Sequence, residues 1–446
     1  MKIDCLVAEI GSTTTIVNAF NLKKQPTFLG RGMAQTTVEA DVNLGLREAI
    51  EDLKNNLGVK QITYDELFAS SSAAGGLRLT VHGLVYEMTA RAAKEAALNA
   101  GANIHFLTAN LLEDDQIEKI KSVDPNIVII AGGTNYGEKE TAYQNLLKVI
   151  PLNKPIIYTG NIANHDRIKK LSNPSIKIVD NVYPRVDDFN ILPLREAIYE
   201  TFSENIIHAK GMSDVKKMVQ GNIIPTPGAV MDATLLCAEM INGVMTIDVG
   251  GATTDIHSVS EPKPVYAKFN EGEPKFKRTV EGDLGIYVNR EYVVKSFRKD
   301  ELENKLNLTA EEIDELIKKE PFIPQSKPGK KLMYALTKQC VEQALNRHIG
   351  DLKRVYTTNG LKVIPEGRDT SQVKIVCLTG GALLYMDNAE KIVTDYFFKQ
   401  QTKLIPDSQV LILKDHDYIF ASIGVLSHVY KEEAKILLKK TLRWEG

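Results

Sequence analysis

The chain has 446 residues, 43% of them hydrophobic, which is enough for two or more domains with substantial cores. Its 55 basic and 57 acidic residues nearly cancel, leaving a formal net charge of −2. This balance gives no electrostatic reason to expect nucleic acid or a membrane surface as a partner. The sequence shows no cleavable signal and no apolar run of the roughly 20 residues that span a bilayer, so we expect a cytoplasmic protein.

The first half of the chain alternates strand and helix patterns. Apolar runs predict strands, and apolar residues at helical spacing predict helices. The predicted strands lie at residues 5–8, 126–130, 155–158 and 176–179, and the predicted helices at about 46–57, 84–100, 137–149 and 194–207, with a further helix around Arg167. Strands alternating with helices predict a parallel sheet with right-handed crossovers.

The second half repeats this alternation and adds a charged stretch. The glycines and prolines of Met218–Gly228 mark a lobe boundary, which predicts lobes at residues 1–220 and 221–446. Strands are predicted at 244–247 and 374–378, and a last helix at about 418–430. The charged stretch at about 297–370 contains a capping box at Thr309–Glu312, so we predict an inserted helical subdomain there.

One short polar turn occurs twice. Glu9-Ile10-Gly11-Ser12-Thr13-Thr14-Thr15 and Asp248-Val249-Gly250-Gly251-Ala252-Thr253-Thr254 share an acid, a glycine and two threonines at the same spacing. Each copy follows an apolar run and precedes a β-branched one, which predicts two hairpin tips. Two such tips, one in each half, can face each other and grip one polyphosphate. The alternative is two ordinary hairpins with threonine-rich turns.

The residue types in these turns suit phosphate and magnesium. Backbone N–H groups can approach phosphate oxygens at glycines and small residues, threonine hydroxyls add donors, and Mg²⁺ is usually held by one or two carboxylates and water. The candidate phosphate-binding residues are Gly11, Ser12, Thr13, Thr14, Gly250, Gly251, Thr253 and Thr254. Asp248 is the candidate Mg²⁺ ligand, Asp255 a second one, and Glu9 stands at the equivalent position in the first copy. Glu9 and Asp248 are the candidate catalytic residues.

A third glycine site follows a predicted buried strand, at Thr379-Gly380-Gly381-Ala382. Gly380 and Gly381 would let the backbone lie flat against adenine or ribose, or they mark a close helix–strand contact. Gly132-Gly133 lies at similar depth in the first half, which predicts a duplicated α/β domain. Neither a Walker-type loop nor a GxGxxG fingerprint occurs in the sequence.

Together these motifs resemble the phosphate-1, phosphate-2 and adenosine motifs of the actin-like ATPase superfamily. The resemblance implies a two-lobed α/β fold of duplicated ribonuclease H-like domains. Segments Ala69–Leu77, Ala131–Gly137 and Pro225–Gly228 are further similar to the glutamate mutase accessory family called MutL or GlmL, and this similarity covers essentially the whole chain. Ser70-Ser71-Ser72, within the first segment, is predicted to be a solvated loop.

That resemblance implies a function and the ligands that go with it. The implied activity is ATP- and Mg²⁺-dependent reactivation of an adenosylcobalamin-dependent mutase or aminomutase that acts on glutamate, ornithine or lysine. Asp248 would then hold Mg²⁺, Gly250, Gly251 and Thr253 the terminal phosphate, and Gly380 and Gly381 the adenosine. The superfamily usually has Asp at the position of Glu9, so a nucleotide-switched binding module without turnover stays open.

The residues are also compatible with a small-molecule kinase of the same fold, which would use a base such as Asp180 or Asp187. The four scattered cysteines, without a Cys-x-x-Cys pair, favour buried free thiols and argue against an iron–sulfur cluster. His257 is expected to be structural. The sequence leaves a homodimer open.

Overall fold

The chain folds into two compact units. The first comprises Met1–Leu236 with Ala421–Leu437, and the second Cys237–Phe420 with Leu438–Gly446. The division falls later in the chain than the boundary predicted at residues 220–221. The computed structural model describes residues 1–11, 14–36, 41–72, 77–186, 188–205, 211–269, 274–321, 323–357 and 360–445.

Within these described residues, the strands form four sheets. Their bounds are β1 Lys2–Ile10, β2 Thr14–Asn21, β3 Thr27–Gln35, β4 Thr63–Ser71, β5 Leu77–Gly83, β6 Ala102–Ala109, β7 Ile127–Ile130, β8 Ile156–Tyr158, β9 Ile176–Ile178, β10 Ile224–Pro225, β11 Val244–Val249, β12 Thr254–Val259, β13 Phe276–Glu281, β14 Asp351–Thr357, β15 Gly360–Glu366, β16 Ile375–Thr379 and β17 Leu411–Lys414.

Helices cover or connect these sheets. Their bounds are α1 Val42–Asn56, α2 Arg91–Asn99, α3 Asp114–Val123, α4 Glu140–Val149, α5 His165–Lys169, α6 Leu192–Asn205, α7 Met212–Met218, α8 Thr226–Met240, α9 Arg290–Lys295, α10 Glu301–Leu306, α11 Ala310–Lys319, α12 Lys327–His348, α13 Gly381–Leu384, α14 Ala389–Lys399, α15 Phe420–Ser427 and α16 Lys431–Thr441. A π-helical turn, Tyr86–Ala90, precedes α2. In the described part of the chain, no helix has both the length and the apolarity to cross a bilayer.

Each unit contains a mixed five-stranded sheet of the same design. In the first unit the order is β10-β4-β1-β2-β3, where β1–β2 and β2–β3 are antiparallel and β1–β4 and β4–β10 are parallel. In the second unit β17-β16-β11-β12-β13 repeats this order and these directions. The repeat confirms the predicted duplicated, ribonuclease H-like α/β fold.

The first unit also holds a separate, fully parallel sheet between β4 and β10. Its order, β6-β5-β7-β8-β9, is 2-1-3-4-5 along the chain, which is a doubly wound arrangement. Central strand β7 is buried along its whole length, as expected for a strand covered on both faces. The predicted parallel sheet therefore exists, but as this inserted domain.

Two sequence interpretations are corrected by strand register. Glu9 pairs with Ser70 of β4, and Asp248 pairs with Thr379 of β16. The counterpart of the Gly380-Gly381 segment is thus the segment after Ser70. The predicted equivalence with Gly132-Gly133 is wrong because those glycines follow β7, in the separate parallel sheet. Ser70 and Ser71 are buried strand residues instead of a solvated loop.

The predicted charged insert is helical in its first part only. Helices α10 and α11 are present, and Thr309 and Glu312 form the predicted capping box. Long helix α12 follows and packs into the core of the second unit through Leu332, Leu336 and Val341. The insert then continues as hairpin β14–β15, which the sequence interpretation did not include.

Three buried histidines make the stability of both units depend on pH. Burial lowers the pKa of His82 from 6.5 to about 3, and burial beside cationic groups lowers the pKa of His257 and His348 well below 6.5. In the unfolded chain these imidazoles take up protons below pH 6.5, whereas in the folded chain they stay neutral. Acidification in this range therefore favours unfolding.

We expect the free energy of unfolding to fall by about 1.4 kcal/mol per pH unit for each of these histidines between pH 6.5 and about pH 5. Urea unfolding followed at several pH values measures this slope. His82→Gln should remove the contribution of one proton, about 1.4 kcal/mol per pH unit, from the slope of the first unit. The slope of the second unit should stay the same. An unchanged slope for the first unit would show that His82 is protonated in the folded protein.

Candidate functional site

The tip of hairpin β11–β12 is a tight turn pinned from both sides. The Gly250 N–H donates to the Thr253 carbonyl at 2.9 Å and closes the turn. The Gly251 carbonyl accepts from the backbone N–H groups of Tyr287 and Val288, at 2.9 and 2.7 Å. These bonds fix the tip against the segment after β13. The predicted phosphate-binding residues Gly250, Gly251 and Thr253 therefore lie together on one rigid turn.

Asp248 lies at the end of β11, half-buried, beside the end of β16. Gly380 has φ +87°, and a Cβ there would lie 2.5 Å from Asp248 Oδ1 and 2.5 Å from the Val249 carbonyl oxygen. Glycine at this position lets β16 leave the sheet against the carboxylate. The half-buried carboxylate at a strand end, in a cradle that a side chain would fill, fits the predicted role of Asp248 as a ligand of hydrated Mg²⁺.

Asp255, the second predicted metal ligand, is engaged by other groups. It is buried and accepts from Arg278 Nη2 at 2.8 Å and from Thr253 Oγ1 at 3.1 Å. Arg278 is itself 1% exposed. A metal ion would have to displace this buried guanidinium, so the donor set fits Mg²⁺ poorly at Asp255. Across the described residues, no three His, Cys, Asp or Glu side chains converge as in a metal centre.

Arg278 lies in β13, and no sequence motif marks it as a site residue. It pairs across strands with His257, which is fully buried as expected for a structural residue. The hydrogen bonds run from Arg278 to Asp255 and from Thr253 to Asp255, so the ion pair holds the threonine hydroxyl at the tip. Arg278 is thus a positioning residue that sequence reasoning missed.

Thr254 is placed differently from its neighbour. Its hydroxyl is buried and donates to the Leu284 carbonyl at 2.6 Å. A contact with phosphate would require this hydrogen bond to be given up. That contact stays a prediction.

The first hairpin is described in part. The Gly11 N–H donates to the Thr14 carbonyl at 3.0 Å, and a Cβ at Gly11 would lie 2.6 Å from that oxygen. Thr14 opens β2. Ser12 and Thr13 fall outside the described residues. The same type of hydrogen bond, from a glycine N–H to the carbonyl of a threonine three residues later, therefore joins Gly11 to Thr14 and Gly250 to Thr253.

Glu9 is buried at the end of β1 and engaged in hydrogen bonds. Its Oε1 accepts from Ser422 Oγ at 2.5 Å and from Asn18 Nδ2 at 3.2 Å. Ser422 lies on α15, and residues 421–427 of this helix belong to the same compact unit as Glu9. The carboxylate is therefore held in one orientation by strand β2 and helix α15.

Asp415 is a second residue that the sequence did not single out. It is fully buried after β17, and burial raises its pKa. It accepts from Thr379 Oγ1 at 3.0 Å, from Thr441 Oγ1 at 2.5 Å and from the N–H groups of Ile419 and Phe420. It thereby fixes the end of β16, from which Gly380 and Gly381 follow.

A cavity of about 580 Å³ opens beside Gly381 in the second unit. Its lining combines apolar and aromatic side chains with three lysines and one aspartate, so its net charge is positive. The lining residues are Ile286, Ile323, Pro324, Gln325, Lys327, Lys330, Lys331, Met333, Tyr334, Gly381, Ala382, Tyr385, Met386 and Asp387. Of the predicted site residues that the structure describes, Gly381 alone lines this cavity.

Gly380→Ala is expected to destabilise the second unit and displace Asp248. Gly221 also has positive φ (+74°), but a Cβ there meets nothing within 4 Å. Gly221→Ala therefore measures the backbone strain alone, about 1–2 kcal/mol. Gly380→Ala should cost more than this control in chemical denaturation and should weaken Mg²⁺-dependent nucleotide binding. Equal costs for the two variants would contradict the close approach of β16 to Asp248.

Nearly the whole chain matches the model of one protein family. The model of the family described as MutL protein covers residues 5–442. The curated protein MutL of Clostridium tetanomorphum is 32% identical over 457 residues, which span 98% of this chain and 98% of the relative. The chain belongs to the MutL protein family.

Solved structures similar to this MutL-family chain have low sequence identity to it. Nucleotide-free acetone carboxylase is 12% identical with a TM-score of 0.41, covering 95% of this chain and 70% of the carboxylase chain. Nucleotide-free diol dehydratase-reactivating factor is 11% identical with a TM-score of 0.40, covering 97% of this chain and 100% of the factor. The family assignment rests on the sequence matches.

Proposed function

We propose that this MutL-family protein binds and hydrolyses ATP with Mg²⁺ and uses the cycle to reactivate an adenosylcobalamin-dependent mutase or aminomutase. The cavity beside Gly381 is the observation that carries the nucleotide part. It adjoins the turn that follows β16, and β16 pairs directly with the strand that ends at Asp248. A nucleoside site and a metal-binding carboxylate at neighbouring strand ends are what a nucleotide requires.

The chemistry of the cavity supports adenosine as its occupant. Tyr334 and Tyr385 offer aromatic faces, and Ile286, Met333 and Met386 offer apolar ones. Purine rings stack on such surfaces. The three lysines favour an anionic ligand. We assign phosphate contacts to the backbone of Gly250 and Gly251 and to Thr253, and the contacts of Gly11 and Thr14 stay a prediction from the sequence.

Asp248 is the residue to which we assign Mg²⁺. When bound, the ion neutralises charge on the phosphate oxygens as phosphoryl transfer proceeds. Asp248 would hold that ion, while Arg278 keeps Thr253 in place through Asp255. Glu9, fixed by Asn18 and Ser422, is assigned to the attacking water.

We infer the client from family membership. It is a carbon-skeleton mutase or an aminomutase of the glutamate, ornithine or lysine type, whose damaged cobalamin must leave before intact coenzyme enters. The test is ATP turnover by the purified chain with and without a glutamate mutase inactivated by bound hydroxocobalamin, followed by return of mutase activity on addition of free adenosylcobalamin. Stimulated turnover with recovered activity supports the proposal. If the chain hydrolyses ATP but an inactivated mutase does not stimulate it, the ATPase part of the proposal stands and the proposed client is rejected.

A nucleotide switch without turnover is the second candidate. It is favoured by Glu9, whose Oε1 already accepts from two side chains of its own unit. Tight ATP binding, client release on binding and no phosphate production would support it. The same assay therefore separates the two candidates.

Tyr385→Ala is expected to weaken ATP binding about tenfold, because stacking of a base on an aromatic ring contributes about 1–3 kcal/mol. Tyr385 is half-exposed, so the fold should tolerate the change. Tyr292→Ala, an exposed tyrosine of the same unit outside the cavity, is the matched control. Equilibrium titration with a fluorescent ATP analogue measures both. Equal affinities in both variants would exclude this cavity as the adenosine site.

A further inference from the structure

Exposed apolar side chains gather at one edge of the inserted parallel sheet. In doubly wound sheets, the loops after the carboxyl ends of the strands build the binding site. Among the described residues 77–205, every exposed large apolar side chain except Leu147 lies in a segment that follows such a strand end. They are Val85, Tyr86, Leu111, Tyr136, Val186 and Leu192. We call this set the carboxyl-edge surface.

The centre of this surface is rigid. Tyr136 is 86% exposed and has φ +64°, a costly conformation for a bulky residue. Its N–H donates to Asn161 Oδ1 at 3.4 Å. Buried Asn181 donates from Nδ2 to the Gly133 carbonyl and to Asn135 Oδ1, both at 2.9 Å. Surrounding amides therefore hold the strained loop that presents the tyrosine ring to solvent.

The charge around the surface is acidic. Glu138 Oε1 accepts from the first N–H groups of α4 at 2.9 Å, and Glu113 forms the capping box of α3. Sheets of this kind bind phosphate at the N-termini of the helices that follow their strands. Here the N-termini of α3 and α4 already bind carboxylates of the chain itself. The described acids of these segments are Glu87, Glu113, Asp114, Asp115, Glu138, Glu140, Asp166, Asp180 and Asp188, against Arg91, Lys139, Arg167 and Arg185, and Arg167 pairs with Glu140 at 2.7 Å. An apolar surface with an acidic rim suits a basic, apolar protein segment and disfavours a phosphorylated ligand.

The chain itself carries a segment with that chemistry. Hairpin β14–β15 forms a two-stranded sheet of its own. Arg354 pairs with Val363, and Tyr356 pairs with Leu361, so these four side chains share one face. All four are exposed, Tyr356 by 86%. Residues 353–363 contain Lys353, Arg354 and Lys362 and no acid. Lys353 pairs with Glu366 at the base of the hairpin, at 2.6 Å, so the positive charge near the tip is that of Arg354 and Lys362.

We propose that the β14–β15 hairpin of one copy of this chain docks on the carboxyl-edge surface of a second copy. The two surfaces are both apolar and opposite in charge, and both are exposed in the single chain. An isolated two-stranded hairpin is marginally stable in water, so covering its apolar face also stabilises it. The contact joins different patches of the two copies, which is a heterologous arrangement. The residues of this contact are different from those assigned to the nucleotide, so the proposal does not rest on that assignment.

Sedimentation equilibrium of the full chain over a wide concentration range, at low and high salt, tests this contact. The expected result is reversible self-association that weakens with salt. Hairpin variant Arg354→Glu/Lys362→Glu and edge variant Asp180→Lys/Asp188→Lys should each associate at least about tenfold more weakly, because like charges then meet. A mixture of the two variants should regain association, since each hairpin then faces an opposite charge on the other variant.

Apolar controls sharpen the assignment. Tyr136→Ser should weaken association, whereas Phe398→Ser, which removes a 91% exposed ring on α14 outside both surfaces, should leave it unchanged. Circular dichroism checks that each variant is folded. A wild-type chain that stays monomeric at every concentration overturns the proposal, as does a mixture that associates no better than its parts. If the wild-type chain is monomeric and the edge variant is no longer stimulated in ATP turnover by an inactivated mutase, the carboxyl-edge surface is assigned to the client instead.

Discussion

Asp248→Asn is expected to lose Mg²⁺-dependent ATP hydrolysis while the chain keeps its fold. The amide has nearly the same shape as the carboxylate and still fits against Gly380, but it lacks the charge that holds the cation. A metal ion that stabilises charge on a transferring phosphoryl group contributes several kcal/mol, so turnover should fall at least about 10³-fold. Phosphate release at saturating ATP measures this loss.

The control for Asp248→Asn is Asp314→Asn, which changes an exposed aspartate on α11. It should keep full turnover. Asp248→Ala should match the Asn variant in activity. Hydrolysis at the parental rate in either Asp248 variant would reject the metal assignment, whatever the nucleotide affinity.

Arg278→Met should be the most destabilising single change near the site. It leaves the Asp255 carboxylate buried without its 2.8 Å partner, and breaking a buried ion pair from one side costs about 3–5 kcal/mol. The second unit should therefore unfold at markedly lower urea concentration. Lys319→Met, which breaks an exposed pair with Glu315 on α11, should cost about 0.3–0.5 kcal/mol.

The double variant Arg278→Met/Asp255→Asn separates charge burial from positioning. It removes both charges, so it should recover much of the lost stability. It should not recover turnover, because Thr253 then loses the charged acceptor that orients its hydroxyl. Full recovery of both stability and turnover would show that the ion pair has no role in the phosphate turn.

Local patterns in the sequence predicted local structure well. The two hairpins, helix α1 ending before Gly58 and the capping box of α11 depend on neighbouring residues, and all are present. The four cysteines are buried free thiols, as predicted. These features need only short-range spacing, apolar runs and turn residues, which one sequence contains.

Features that depend on distant pairing were missed or misassigned. Gly132-Gly133 looked equivalent to Gly380-Gly381, because one sequence does not state which strands share a sheet. Hairpin β14–β15 was missed because its apolar residues alternate with basic ones inside a charged stretch. Arg278 acts through Asp255, 23 residues away, and Asp415 fixes β16 through Thr379, 36 residues away, so no local motif marks these roles.

The chain leaves the first sheet for the inserted parallel sheet and returns to it at neighbouring positions. β4 ends at Ser71, and the returning β10 pairs Ile224 with Ser70 and Pro225 with Ser71. The whole segment thus occupies a single gap between two adjacent strands. Because β4 and β10 run parallel, any shorter segment that replaced this one between Ser72 and Ile224 would still have to form a crossover of about a dozen residues or more.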